Sequence, residues 1–182
     1  RGLAVVAGFN ISNTVANLFN VVFIALGSAI SIIVGQQLGA GKLEEAVDTD
    51  RKMIVFSVFC CFVIGACMFA IAPFFPRIYN TTEEVRGLAK QFIRIASACM
   101  PLYGFMHATY FTLRSGGRTV ITFLFDSVYI WVVDIPLAFV LTRFTGVPIV
   151  SIYLSCQLIE IIKCIIGYVM VKKKIWVNNM VM

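Results

Sequence analysis

Four asparagines stand at positions 10, 13, 17 and 20 within forty consecutive residues, Gly2 to Gly41, that carry no charge. Steps of three and four put Asn10, Asn13, Asn17 and Asn20 on one face of a helix, roughly extended by Gly27, Ser31 and Gly35. A row of carboxamides in apolar surroundings has two uses. It hydrogen-bonds neighbouring helices, or it lines a wet pathway whose amides contact ligands or ions. Packing usually needs one or two such residues, and here there are four in line. A second set, Tyr103, His107, Tyr110 and Arg114, again shares one helical face. Histidine changes charge near neutral pH, and the faces of Tyr103 and Tyr110 suit an organic cation. The plainer use of such a histidine is as a hydrogen-bond partner between helices.

A third set is acidic. Asp126 and Asp134 lie in one apolar stretch with Tyr129 between them on a neighbouring face. An aspartate at the centre of a bilayer costs on the order of 3 kcal/mol, so its burial needs a reason. Asp134 precedes Ile135-Pro136, where a carbonyl freed by the proline could share a proton or an ion. Asp126 is one turn from the helix end, within reach of water or of Arg118. Glu160 and Lys163 are one turn apart and are expected to neutralise each other, and Arg94 to snorkel. Candidates for contact with a substrate or cation are therefore Asn13, Asn17, Asn20, Tyr103, His107, Tyr110 and Asp134.

Other chemistries are poorly served. There is no His-Glu-x-x-His, no Gly-x-Ser-x-Gly and no Gly-x-Gly-Asp, and the potassium-channel filter motif is missing. The six cysteines fall inside apolar stretches without metal or disulfide spacing, and read as packing residues. The chain is thus expected to be no enzyme and to need neither cofactor nor metal. No basic patch with interleaved aromatics points to nucleic acid, despite a formal charge of +6.

What positions these residues is a set of membrane helices. Hydrophobic residues make up 60% of the chain and charged residues 13%, about half the charge of a soluble domain. After the first uncharged run, four further stretches are long enough to span: Met53–Phe75, Ile95–Leu113, Thr119–Thr142 and Thr145–Val171. The apolar runs are continuous, without the period-two alternation of barrel strands. The expected fold is all-α, a polytopic transmembrane bundle of five spans forming one unit, 1–182. Gly39 and Gly41 are expected to stop the first helix, with Gly35 part of the same turn, and a polar loop to follow from Lys42 to Lys52. Glu44-Glu45 suits the start of the second helix. Asn80-Thr81-Thr82 reads as a turn and N-cap or, in a eukaryotic secretory setting, as a glycosylation acceptor. Pro101 should kink the third helix, and Gly116-Gly117 should make a tight basic turn after it. Ile175-Trp176 is expected to anchor the end of the last helix at the interface.

Five spans leave the ends on opposite sides. One set of loops holds Lys42, Arg51, Lys52, Arg114, Arg118 and Lys172 to Lys174, eight basic residues against five in the other set. The positive-inside bias places the carboxyl terminus in the cytoplasm, in a multi-pass protein of the cell membrane. A start at Arg1, with no cleavable leader before the first span, leads us to expect a fragment.

The chain also resembles a known family, the multidrug and toxic compound extrusion (MATE) transporters. The likeness rests on Val34-Gly35-Gln36-Gln37-Leu38-Gly39-Ala40-Gly41 with Glu45-Ala46, and on Pro101. It continues with Leu113-Arg114-Ser115-Gly116-Gly117-Arg118-Thr119, Ile135-Pro136-Leu137-Ala138 and Lys174-Ile175-Trp176. These stand in the family's order and spacing along essentially the whole chain, and the overall look is closest to the DinF-like branch. The resemblance implies twelve helices in two lobes flanking a cleft, with this chain supplying helices eight to twelve and lacking helix seven and the amino-terminal lobe. It implies export of amphipathic, often cationic drugs or toxins in exchange for Na+ or H+, by rocking of the lobes. It also implies that Gly39 and Gly41 form a cytoplasmic turn. One departure matters: the NorM-like branch has acidic residues in helices seven and ten, and Ile95–Leu113 has no carboxylate. The coupling carboxylate is then expected in the absent lobe, as in DinF-like members, leaving Asp126 and Asp134 open. Two alternatives stand beside this: a flippase for lipid-linked sugars, which would want more cations than Arg94 and Lys163, and a membrane scaffold whose helices only pack.

Overall fold

The computed structural model describes residues 2–177, apart from the side chain of residue 125. Its long helices are α1 (Leu3–Gly39), α2 (Leu43–Ile71), α3 (Glu83–Ser115), α4 (Thr119–Phe144) and α5 (Ile149–Lys172), with a single 3-10 turn at Phe75–Ile78. No strand occurs among the described residues. Helices α1, α2, α4 and α5 are each long and apolar enough to cross a membrane. Helix α3 is as long but less apolar, and the reason is its position. It packs along α1, α2 and α5 at once, so Ser97, Thr109, Thr112 and Ser115 are buried against protein. The fold is an all-α polytopic bundle.

The core lies around α3. Val15 and Phe23 of α1, Cys61 and Met68 of α2, and Ile93, Ala96 and Met100 of α3 fill one half. Ile30, Val34 and Leu38 with Ala46, Ile54, Ala108, Leu113 and Trp176 fill the other. Lipid tails are as apolar as these side chains, so close backbone approach must supply the attraction between helices. Gly65 of α2 shows how: a Cβ there would lie 2.6 Å from the carbonyl oxygen of Ser97. Pro101 has no N–H to offer Ser97, four residues earlier, so that oxygen is turned to the glycine of the next helix. Pro101 is thereby absorbed into a continuous helix.

Three helix ends share one geometry. The N–H of Gly41 bonds the carbonyl of Leu38 and that of Lys42 the carbonyl of Gln37; Gly117 and Arg118 bond Arg114 and Leu113 likewise, and Lys174 and Ile175 bond Val171 and Met170. These are Schellman endings, which put their C′ residue in the left-handed region: φ is 74° at Gly41, 74° at Gly117 and 52° at Lys174. The turns expected at Gly41 and Gly117 are present. Gly39 is the last helical residue, and Gly35 is not in a turn: it lies inside α1, because the helical hydrogen bonds run on to Ala40. Thr82 caps α3, its hydroxyl oxygen accepting from the N–H of Val85 at 3.4 Å, and Glu44 and Glu45 occupy the first turn of α2.

Trp176 corrects another expectation. It is only 1% exposed, set in the core formed by α1, α2 and α3 and not facing outward as an interface anchor. Gly116 makes room for it, since any side chain there would run into the Trp176 backbone. Arg118 also holds this segment, its Nε donating to the carbonyl of Ile175 at 3.1 Å. Asp50, expected in a polar loop, is instead 1% exposed within α2 and accepts a 2.6 Å hydrogen bond from the Thr112 hydroxyl of α3.

Helix α4 is different in kind. Its ends, Thr119–Phe123 and Ile135–Phe144, are α-helical, while Leu124–Val128 and Ile130–Asp134 are π-helical. It lies at the edge of the bundle, with Phe123, Trp131, Val132 and Phe139 exposed. Pro136 removes an N–H and presses on the preceding turn, which favours the wider winding just before it. Each π segment carries one of the two aspartates.

Candidate functional site

A charged cluster joins α4 to α5 across otherwise apolar surfaces. Lys163 Nζ donates to Asp126 Oδ1 at 3.0 Å and lies 3.8 Å from Glu160 Oε2. The lysine side chain is 3% exposed, the Asp126 side chain 50%. The Lys163 ammonium also stands 5.5 Å from the ring centre of Tyr129, whose hydroxyl donates to the carbonyl of Ile159 at 2.8 Å. Asp134 lies beyond Glu160, and one buried oxygen of each, Asp134 Oδ1 and Glu160 Oε2, has no hydrogen-bond partner among the described residues. Of the two expectations for Asp126, access at the helix end or a bond to Arg118, the half-exposed side chain fits the first, while its hydrogen bond is to Lys163 of α5.

Next to Asp126 and Lys163 is a cavity of about 190 Å3 whose other walls are Ile24 of α1 and Met106, His107, Tyr110 and Phe111 of α3. His107 is fixed by stacking on Phe23, with ring centres 5.3 Å apart and planes 9° from parallel. Tyr110 meets Phe111 edge-to-face at 5.5 Å. Drug-sized pockets usually run from about 300 Å3 upward, so this space takes a head group or a ring and not a whole drug. Chemically it offers a carboxylate, an imidazole and aromatic edges, with an ammonium already bound to the carboxylate.

The model of the MatE family matches residues 2–140 of the chain. The chain belongs to the MatE family. Two curated relatives agree. The "Probable multidrug resistance protein YoeA" of Bacillus subtilis (strain 168) is 23% identical over 153 residues, covering 82% of this chain and 32% of its own length. The "Probable multidrug resistance protein NorM" of Oceanobacillus iheyensis is 25% identical over 138 residues, covering 72% of this chain and 29% of its own length. The chain thus spans about a third of the length of the curated relatives it matches. No solved structure matches it significantly.

Within this MatE chain the residues singled out by sequence fall into four places. His107 and Tyr110 come together with Asp126 and Lys163 around the cavity. Tyr103 is turned elsewhere: its hydroxyl donates to Gln157 Oε1 of α5, and its ring meets Phe23 edge-on. Asp134 sits at the far end of the charged cluster, beside Glu160. Asn10, Asn13 and Asn17 are exposed and Asn20 half-buried, on the side of α1 that leads by helical steps to Ile24 at the cavity. Sequence reasoning treated Lys163 as half of a local pair with Glu160. The stronger bond is to Asp126, on another helix. A cation in the middle of an apolar span was the available signal, since such a charge demands a partner from a neighbouring helix.

Proposed function

We propose that this chain is the carboxyl-terminal part, helices eight to twelve, of a multidrug exporter that exchanges amphipathic or cationic compounds for Na+ or H+. In this reading α1 lines a passage shared with an amino-terminal lobe, and its asparagines are kept wet by the cleft between them. The observation that carries it is the amide row of α1, exposed at Asn10, Asn13 and Asn17 and half-buried at Asn20. A scaffold whose helices only pack would bury those amides against its neighbours. The names of the two relatives support export of drugs, and the charged cluster supports coupling to a cation. The protein is placed in the cell membrane with its carboxyl terminus in the cytoplasm, in keeping with the basic residues at the Lys42, Arg118 and Lys172 end.

The test is efflux of a cationic dye from proteoliposomes holding the full-length protein, under a sodium gradient and under a proton gradient. Efflux under at least one of them is expected. Its absence under both would remove the antiport reading. Single cysteines at Asn13, Asn17 and Asn20 should react with a water-soluble maleimide in the same vesicles; uniform protection would favour a packing role.

A further inference from the structure

A second, larger cavity of about 530 Å3 lies between α2 and α5 at the end of the bundle where the three Schellman turns gather. Its walls are apolar, among them Ile54, Val55, Val58, Phe105 and Val171, and three cations line it: Arg51, Lys172 and Lys174. None of the three is ion-paired to a carboxylate among the described residues. Asp50 is the one carboxylate of the lining, and it is occupied by the Thr112 hydroxyl of α3. Trp176 also borders the cavity. It is 1% exposed, yet its indole N–H has no acceptor among the described residues.

We propose that this cavity binds an anionic phospholipid, its phosphate held by Arg51, Lys172 and Lys174, its acyl chains against the apolar wall. The cations stand where the apolar segments of α2 and α5 end, which is the depth of lipid head groups. A cationic drug would be repelled there, and an apolar molecule would leave the three cations without an anion. Lys174 adds a separate sign. At the same position of the other two turns stands glycine, whereas Lys174 holds a left-handed conformation that residues with a side chain rarely adopt. The charge it carries there is one that a phosphate can use. The site is independent of whether the protein exports drugs.

The full-length protein in neutral detergent is titrated with phosphatidylglycerol or phosphatidylcholine while its thermal midpoint is followed. Phosphatidylglycerol should raise the midpoint and phosphatidylcholine should not. In R51Q/K172Q/K174Q the apparent affinity for phosphatidylglycerol should fall roughly a hundredfold, at about fivefold per charge lost. The single variant K174G separates lipid binding from folding: it should be at least as stable as the parent without lipid, and respond less to phosphatidylglycerol. The control K52Q, whose lysine pairs with Asp48 at 2.6 Å outside this cavity, should respond as the parent does. The proposal is overturned if the triple variant keeps the full response, if phosphatidylcholine matches phosphatidylglycerol, or if glycerol phosphate alone reproduces the shift and marks a site for free anions.

Discussion

Lys163 is the residue on which the polar interior turns. It is surrounded by three carboxyl groups, Asp126 directly, Glu160 next and Asp134 beyond, so removing it and removing one of its partners are not equivalent. Lys163→Met leaves three acids facing one another without a cation. Asp126→Asn leaves the ammonium with Glu160 and removes a half-exposed side chain. Breaking a buried pair costs about 3–5 kcal/mol, and the half-exposed Asp126 places this one toward the lower end. Lys163→Met should therefore lower the thermal midpoint clearly more than Asp126→Asn, and the double variant should recover part of the loss. Equal effects of the two single variants would mean that Glu160 and Asp134 do not share the lysine.

At the scale of the helices, glycine positions separate contact from turn. Gly65 has the Ser97 carbonyl where its side chain would be, so Gly65→Leu should force α2 from α3 and cost about 1–3 kcal/mol. Gly35 has nothing within 4 Å of that place and lies inside α1. Gly35→Ala should raise helix stability by about 0.4–1 kcal/mol. Thermal melts of both variants in one detergent check the pair. A destabilised Gly35→Ala would show that another element closes on α1 there. The two glycines look alike in sequence, each within an apolar run; only the neighbouring helix distinguishes them.

Taken whole, the bundle is uneven. Helix α3 is enclosed on several sides, whereas among the described side chains of α4 only Thr122 is buried. Amide hydrogen exchange should accordingly be faster through Leu124–Asp134 than through Phe92–Leu113, and the opposite order would contradict this arrangement. The asymmetry also bears on function, because the aspartates that reach toward α3 and α5 are carried by the least anchored helix. Long uncharged stretches ended by glycine or lysine settle the helices, since a chain with so little charge must satisfy its backbone internally. Helical spacing likewise settles that Asn10, Asn13, Asn17 and Asn20 share a face, and that His107 and Tyr110 do. Local chemistry sufficed again at Gly41 and Gly117, where the turn demands a left-handed residue. It did not reveal that Lys163 belongs to Asp126, that Tyr103 leaves its own face for Gln157, that Trp176 is buried, or that Asp50 is clamped by Thr112. Each of those depends on the lateral order and rotation of helices about one another. Those are set by packing between residues far apart in the chain, which periodicity along a single helix does not encode.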